Sequence, residues 1–407
     1  MINVKFLHVF ALTALVRLGI SAPLCRASST LALDLGPCRV LSVGKSDVYS
    51  YGISVAVQGT EICLAPSTTV NSTFLVDASL CSDSQLDMSS EPGQGGVVMT
   101  SQQCRSRRGG FVDRNSLSPA DPEGLKGLNP GWSIFNNISA AASATLQLLD
   151  DRVTDIVGLI TSGQKSTQSH MGLASASTLL GKMKEAGLIG ALSWGLNSGS
   201  QSTMFPRVGS LILGGWDRGS LAGPYFDYPV ARGPLEGRWC PLQVLITGLS
   251  LNIRNNTQEI VSPANKWDAC IEPSVYAHPL RDRTPADFRF SYDNLFRVPK
   301  NTLDQFKGLL KGPLVDPVTY KSSLLNVEPG IVFSKDTADL NATLRFTINY
   351  TQTVEVPFYE VQRPLRGLDP KGVPVVNSEY NELQIYGAPA EGDAPVLGKA
   401  FLSQVGS

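Results

Sequence analysis

Three segments of the chain alternate apolar and polar residues, and this period of two limits the possible folds most strongly. Apolar residues recur at every second position from Tyr51 to Val57, from Leu249 to Ile253 and from Leu344 to Tyr350. Such alternation is typical of strands that bury one face in an antiparallel sheet. Only 17% of the residues are charged, whereas Gly (38) and Pro (26), which favour turns, are frequent. We therefore predict an all-β protein with short helices.

Two short segments carry the clearest helical signals. The first begins at the candidate N-cap Ser177 and ends at Gly187, because the residue that ends a helix often adopts the left-handed conformation that glycine permits. Between these two residues, one face is apolar: Leu179, Leu180, Met183 and Ala186. The second segment, 301–312, places Leu303, Phe306 and Leu310 on one side and ends at Gly312.

The N-terminal residues 1–27 resemble a secretory signal peptide, with a weakly basic start, an apolar run and small residues at the end. Cleavage after Ala22 or after Ala27 fits the small-residue rule. The second choice removes Cys25 and leaves six cysteines: Cys38, Cys63, Cys81, Cys104, Cys240 and Cys270. An even number in a secreted chain predicts up to three disulfides of unknown connectivity, with unpaired buried thiols as the alternative.

Five Asn-X-Ser/Thr sequences also favour a secreted or cell-surface glycoprotein: Asn71, Asn137, Asn255, Asn341 and Asn349. No other long apolar run follows, so we expect no transmembrane helix. The net charge is −1 and the densest basic run, 105–108, is short, so nothing suggests a nucleic-acid partner and we expect none. His170 and His278 have no metal-binding spacing, so we expect no metal ion. We also expect no cofactor and a monomer.

Two short sequences are nearly repeated: "CLAPST" at 63–68 and "CIEPSV" at 270–275. Each is followed, more than one hundred residues later, by an apolar residue and a glycine, at Met171–Gly172 and Leu397–Gly398. Glycine permits close backbone approach, so each could let a later strand pass beside the earlier turn. The pattern indicates an internal duplication.

The segment 177–230 resembles the late N-terminal lobe of the pepsin-like aspartic peptidases, in a distant branch of fungal type. The matching residues, in order, are Gly187, Leu188, Ile189, Ser210, Leu211, Gly214, Gly215, Asp217, Gly223, Pro229 and Val230. "VYSYGISVAVQG" resembles the first strand of that family and "PVLGKAFL" its last, so the likeness spans 47–402. It implies a bilobal fold with a central peptide-binding cleft, an N-terminal lobe at 28–228 and a C-terminal lobe at 229–407.

The resemblance implies one aspartate from each lobe, in an Asp-Thr/Ser-Gly-Ser/Thr loop. It places Ala65 at the first position, followed by Pro66, Ser67 and Thr68. It places Glu272 at the second position, and the rest of that loop is Pro273, Ser274 and Val275. Peptide hydrolysis by this route needs two carboxyl groups that share a proton, and alanine has none.

We therefore expect a catalytically inactive homologue whose cleft binds an extended peptide or a cell-surface ligand. One alternative is an active peptidase in which Glu272 works with another acid, taken from Asp77, Asp83, Asp87 and Asp268. Another is a structural cell-surface glycoprotein, in which Glu272 is exposed or hydrogen-bonded for structural reasons.

Overall fold

The computed structural model describes residues 29–43, 46–81, 86–88, 97–121, 138–148, 153–161, 168–200, 205–217, 219, 234–235, 238–240, 242–253, 256–273, 296–309, 330–335, 342–387 and 395–405. The predicted signal peptide, 1–27, lies outside these residues. So do Ser274 and Val275, and the predicted lobe boundary at 228/229.

Strands dominate the described chain. In the first half they are β1 Leu31–Val43, β2 Ser46–Val57, β3 Thr60–Ser67, β4 Thr73–Val76, β5 Leu86–Met88, β6 Val97–Met99, β7 Ser118–Ala120, β8 Ile138–Leu148, β9 Val153–Thr161, β10 His170–Gly172, β11 Trp194–Asn197 and β12 Gly209–Leu213. Ten of these form one sheet in the order β11-β12-β1-β2-β3-β10-β4-β9-β8-β7. An additional pairing of β2 with β8 folds this sheet back on itself.

The second half has its own sheets. Its strands are β13 Pro234–Leu235, β14 Arg238–Trp239, β15 Gln243–Ile253, β16 Asn256–Val261, β17 Trp267–Ile271, β18 Phe296–Val298, β19 Ile331–Ser334, β20 Ala342–Ile348, β21 Gln352–Pro357, β22 Gln362–Leu368, β23 Pro374–Leu383, β24 Ile385–Gly387 and β25 Val396–Leu397. The main sheet has the order β21-β20-β15-β17-β25-β18-β24, with β16 beside β15, and β19-β23-β22 form a smaller sheet. Below, the N-terminal lobe denotes β1–β12 and the C-terminal lobe β15–β25.

The helices are short and lie against these sheets. They are α1 Ser101–Arg108, α2 Thr178–Glu185, α3 Lys300–Leu309, α4 Phe358–Val361 and α5 Lys399–Val405, with 3₁₀ turns at Ala78–Cys81, Arg114–Ser116 and Pro263–Asn265. The predicted N-cap is confirmed, because the Ser177 hydroxyl accepts a hydrogen bond from the Leu180 N–H. Gly187 has the left-handed φ of 72° expected of it. Ala186 differs from the prediction: it is exposed, because it follows the last helical turn as the C-cap.

Each lobe has its own apolar core, as the period-two segments predicted. In the N-terminal lobe Ile53, Val55 and Val57 of β2 are buried. In the C-terminal lobe the same holds for alternate residues of β15 and β20: Leu249, Leu251, Leu344, Phe346 and Ile348. Tyr350 was predicted on the buried face but is 56% exposed, because β20 ends at Ile348 and Tyr350 lies in the following turn with φ 65°.

All six predicted cysteines form disulfides: Cys38–Cys63, Cys81–Cys104 and Cys240–Cys270. Two of them fix the strands that lead into the repeated turns, since Cys63 lies in β3 and Cys270 in β17. By loop-closure entropy each crosslink contributes roughly 3–4 kcal/mol, in a model-dependent way. Disulfides of this kind fit an oxidising compartment.

Candidate functional site: the two facing turns

The two repeated sequences end in turns at corresponding places of the two lobes. Strand β3 runs parallel to β10, and β17 runs parallel to β25. Each of these parallel neighbours is followed by a helix, α2 in the first lobe and α5 in the second. The internal duplication inferred from the sequence is therefore visible in the strand pairing.

The pairing registers show which residues of the two lobes correspond. In the N-terminal lobe Ala65 pairs with His170 and its N–H donates to the Ser169 carbonyl at 2.9 Å. In the C-terminal lobe Cys270 pairs with Val396 and its N–H donates to the Pro395 carbonyl at 2.9 Å. Ala65 thus corresponds to Cys270.

Two residues further on, Ser67 pairs with Gly172, and the Glu272 N–H donates to the carbonyl of Leu397, which precedes Gly398. Ser67 is therefore the counterpart of Glu272, whereas the sequence had aligned Ala65 with Glu272. The sequence did contain a signal for this register: Ser67 is followed by Thr68, as the family's aspartate is followed by Thr or Ser, while Ala65 is followed by Pro66.

Gly172 is required by the close passage of its strand beside the first turn. A Cβ at this position would lie 2.6 Å from the Ser72 carbonyl oxygen and 2.8 Å from the Asn71 carbonyl carbon. Real Cβ atoms do not approach backbone so closely, so any other residue would push β10 away from the turn.

The turns meet through Glu272, whose side chain is only 1% exposed. Its Oε1 accepts a hydrogen bond from the Thr68 N–H at 3.3 Å, and its Oε2 lies 2.9 Å from the Thr68 hydroxyl. The same hydroxyl lies 3.1 Å from the Ile271 carbonyl oxygen. It has one proton and serves one of these two acceptors at a time. Both carboxyl oxygens of Glu272 are thus engaged by the opposite lobe.

Ser67 is fully buried and forms its hydrogen bonds within its own turn. Its Oγ lies 3.0 Å from the Thr69 hydroxyl and accepts from the Thr69 N–H at 3.3 Å. Pro66 and Pro273, the other described members of the predicted cleft loops, are buried. The two corresponding positions of the turns therefore carry one carboxyl group, on Glu272, and one hydroxyl group, on Ser67.

The other candidate acids have separate roles or positions. Asp77 is 8% exposed and caps the 3₁₀ turn at 78–81 by accepting from the Ser79 N–H at 2.9 Å. Asp268 is exposed on β17, four residues before Glu272. Asp87 belongs to β5, and Asp83 lies outside the described residues.

Two further residues near the turns carry physical signals that sequence reasoning missed. His170, the partner of Ala65, is 2% exposed, and burial lowers the pKa of its imidazole to about 3, although a hydrogen bond with the Gln168 backbone acts in the opposite direction. Lys399 follows Gly398, is 9% exposed, and places its ammonium 3.9 Å from the centroid of the Tyr51 ring in the other lobe. The spacing of residues in the sequence indicates neither the burial of His170 nor the contact between Lys399 and Tyr51.

Of the five predicted glycosylation sites, Asn71 is buried in the folded chain and stays a prediction. Its side chain is 4% exposed and its oxygen accepts a hydrogen bond from the Ala176 N–H at 2.8 Å. Asn349 lies part-exposed in the turn between β20 and β21 and stays a prediction. Asn137, Asn255 and Asn341 lie outside the described residues.

Neither a metal site nor a membrane-crossing helix emerges from the described ranges. Within them, His, Cys, Asp and Glu form no cluster of three that could hold a metal ion. Within the same residues, no helix is long and apolar enough to cross a membrane.

Comparison with solved structures identifies the fold. The chain is similar to the crystal structure of the aspartic proteinase from Irpex lacteus, with a TM-score of 0.51 over 92% of each chain. This chain has the pepsin-like fold. The two sequences are only 12% identical, so the pepsin-like likeness is one of architecture. No protein-family model matches the chain, and no curated protein matches its sequence.

Proposed function

We propose that this protein is a secreted pepsin-like protein without peptidase activity, whose cleft binds an extended peptide or a cell-surface ligand. One observation carries the proposal. Where two carboxyl groups would have to face each other, the chain presents Ser67 opposite Glu272, and both Glu272 oxygens interact with Thr68.

The chemistry fails for lack of a second acid. One carboxylate must take a proton from water while a second carboxyl group gives one to the peptide carbonyl. A serine hydroxyl does not ionise at the pH values at which such an enzyme works, and the Ser67 hydroxyl is hydrogen-bonded to the Thr69 hydroxyl. Glu272 alone cannot supply both protonation states. An active enzyme built on Glu272 and another acid has less support, since Asp77 caps a turn and Asp268 is exposed.

The proposed binding function rests on the architecture. The pepsin-like fold has two lobes around a central cleft, and extended peptides commonly bind to such surfaces through backbone hydrogen bonds and side-chain pockets. The three disulfides and the signal-like residues 1–27 support secretion.

The test is proteolysis of acid-denatured protein substrates by the purified protein between about pH 2 and 7, with and without pepstatin. We expect no pepstatin-sensitive cleavage and no tight binding of pepstatin, because its statine hydroxyl needs the acid pair. An active pepsin-like proteinase assayed alongside confirms that the conditions suffice. Pepstatin-sensitive cleavage that disappears on Glu272→Gln would refute the proposal and favour the alternative enzyme.

A further inference from the structure

Two segments of the N-terminal lobe, 198–200 and 205–208, pair with each other and carry polar side chains toward the C-terminal lobe. We call these two segments the latch hairpin; residues 201–204 lie outside the described residues. Its two sides are joined by a pair of backbone hydrogen bonds, Ser200 N–H to Arg207 carbonyl and the reverse, both 2.9 Å. Gly199 has φ 64°, and a Cβ there would lie 2.4 Å from the Arg207 carbonyl oxygen. Position 199 therefore accepts only glycine, which allows the two segments to approach this closely.

Glu360 of helix α4 receives both paired side chains of the hairpin. The Ser200 hydroxyl donates to its Oε2, and Arg207 Nη2 lies 3.5 Å from its Oε1. Directly paired residues project to the same side of a strand pair, which explains how both reach one carboxylate. Glu360 is 5% exposed, and a buried carboxylate is stable only when it is hydrogen-bonded or paired.

The serine is the stronger half of this contact. The Arg207 side chain is 49% exposed, so water and salt weaken its attraction to Glu360. The Ser200 hydrogen bond is buried, and its loss would leave a carboxylate oxygen without that donor.

Neighbouring contacts extend the same junction to the candidate site. The Phe205 and Tyr359 rings meet edge to face with centroids 5.4 Å apart, and the Ser198 hydroxyl donates to the Lys399 carbonyl at 2.8 Å. Lys399 directly follows β25 and Gly398, and the Leu397 carbonyl of β25 accepts from the Glu272 N–H at 3.1 Å. The latch hairpin thus contacts the chain that supports Glu272.

We propose that the latch hairpin fastens the two lobes together through Glu360, so that they move as one body and the Glu272 turn stays against the Thr68 turn. The inference goes beyond the proposed function and does not depend on whether the protein cleaves peptides.

The test is hydrogen–deuterium exchange of the full-length protein and its Glu360→Ala variant under native conditions. We expect exchange to accelerate tenfold or more in the latch hairpin and also in 65–72 of the N-terminal lobe. The matched control is Glu382→Ala, because Glu382 is 0% exposed but binds Arg363 of its own lobe, with Nη2 2.7 Å and Nε 3.0 Å from Oε1. That variant should accelerate exchange in β22 and β23 and leave the latch hairpin protected.

The proposal is overturned if Glu360→Ala folds and leaves exchange unchanged in both the latch hairpin and 65–72. Should this variant fail to fold, Ser200→Ala provides the same comparison. We expect exchange to accelerate at least threefold in both the latch hairpin and 65–72. Unchanged exchange in both segments would overturn the proposal. Calorimetry adds a second readout: Glu360→Ala should separate or broaden the unfolding of the lobes, whereas Glu382→Ala should lower the midpoint of a single transition.

Discussion

His170 makes the stability of this protein sensitive to acid. His170 lies in β10 between β3 and β4, and its backbone pairs with Ala65 on one side and Phe74 on the other. It is 2% exposed, and desolvation favours its neutral form, which lowers its pKa from 6.5 to about 3.

The sign of the effect follows from linkage. The folded state binds the proton of His170 less readily than the unfolded state does, because the folded pKa lies below the unfolded pKa. The stability due to the neutral imidazole is complete above about pH 6.5 and is lost as the pH falls from there toward about 3. Each pH unit in this window corresponds to about 1.36 kcal/mol. At pH 4.5, two units below 6.5, we expect His170 alone to lower the free energy of unfolding by about 2–3 kcal/mol.

The measurement is urea unfolding at pH 7 and pH 4.5, on the natural protein and on His170→Leu. Other groups titrate in both proteins, so the difference between their two pH effects isolates His170. We expect the natural protein to lose about 2–3 kcal/mol more than the variant. Leu180→Ala is the control: Leu180 is 3% exposed and does not titrate, so the variant should be less stable by a similar amount at both pH values. Equal pH effects in the natural protein and His170→Leu would refute the reasoning.

Three further predictions concern the facing turns. Thr68→Val should lower the free energy of unfolding by about 1–3 kcal/mol, and a double-mutant cycle of Thr68→Val with Glu272→Ala should show coupling that the same cycle with Thr69→Val lacks. Ser67→Asp would bring a second carboxylate near Glu272, since the Thr68 N–H, which directly follows Ser67, donates to Glu272 Oε1 at 3.3 Å. Ser67→Asp should therefore lower the free energy of unfolding at pH 7 by about 2 kcal/mol more than Ala65→Asp does. Adding Glu272→Gln should remove this difference. Equal losses in the two variants would contradict the correspondence of Ser67 with Glu272. Gly172→Ala should destabilise by about 2 kcal/mol or more, as urea unfolding would show, whereas Gly181→Ala in α2, where a Cβ meets nothing within 4 Å, should be neutral or stabilising.

The fold was predictable because its signals are local. Strand β2 shows its buried face in the alternation of Ile53, Val55 and Val57, and α2 shows its start in Ser177, whatever the rest of the chain does. Disulfide pairing depends on contacts between distant segments, and six cysteines allow fifteen connectivities. The environment of His170 is non-local as well, since its two neighbours in the sheet, Ala65 and Phe74, lie far from it in the sequence.

The alignment of the two turns illustrates a second limit. Side chains in a strand repeat every two residues, so a shift of two keeps every residue on the same face. Ala65 and Ser67 lie on one face of β3, so the alternation of side chains gives no preference between them, and the only local signal is that Thr68 follows Ser67. The pairing of Ser67 with Gly172, more than one hundred residues away, decides between the two registers. The conclusion that one acid is missing is the same in either register, since neither residue has a carboxyl group.

The burial of Glu272 gives this acid a structural role at the junction of the lobes. Its carboxyl group lies at the contact between the lobes, where Thr68 presents an N–H and a hydroxyl. An alanine at position 272 would leave that N–H without this acceptor, at a cost of about 1–3 kcal/mol. Glutamine could keep the contact, whereas the shorter aspartate would have to move its turn by about one methylene length to do so. The structure therefore favours a side chain of this length at position 272, because its reach across the junction holds the two turns together.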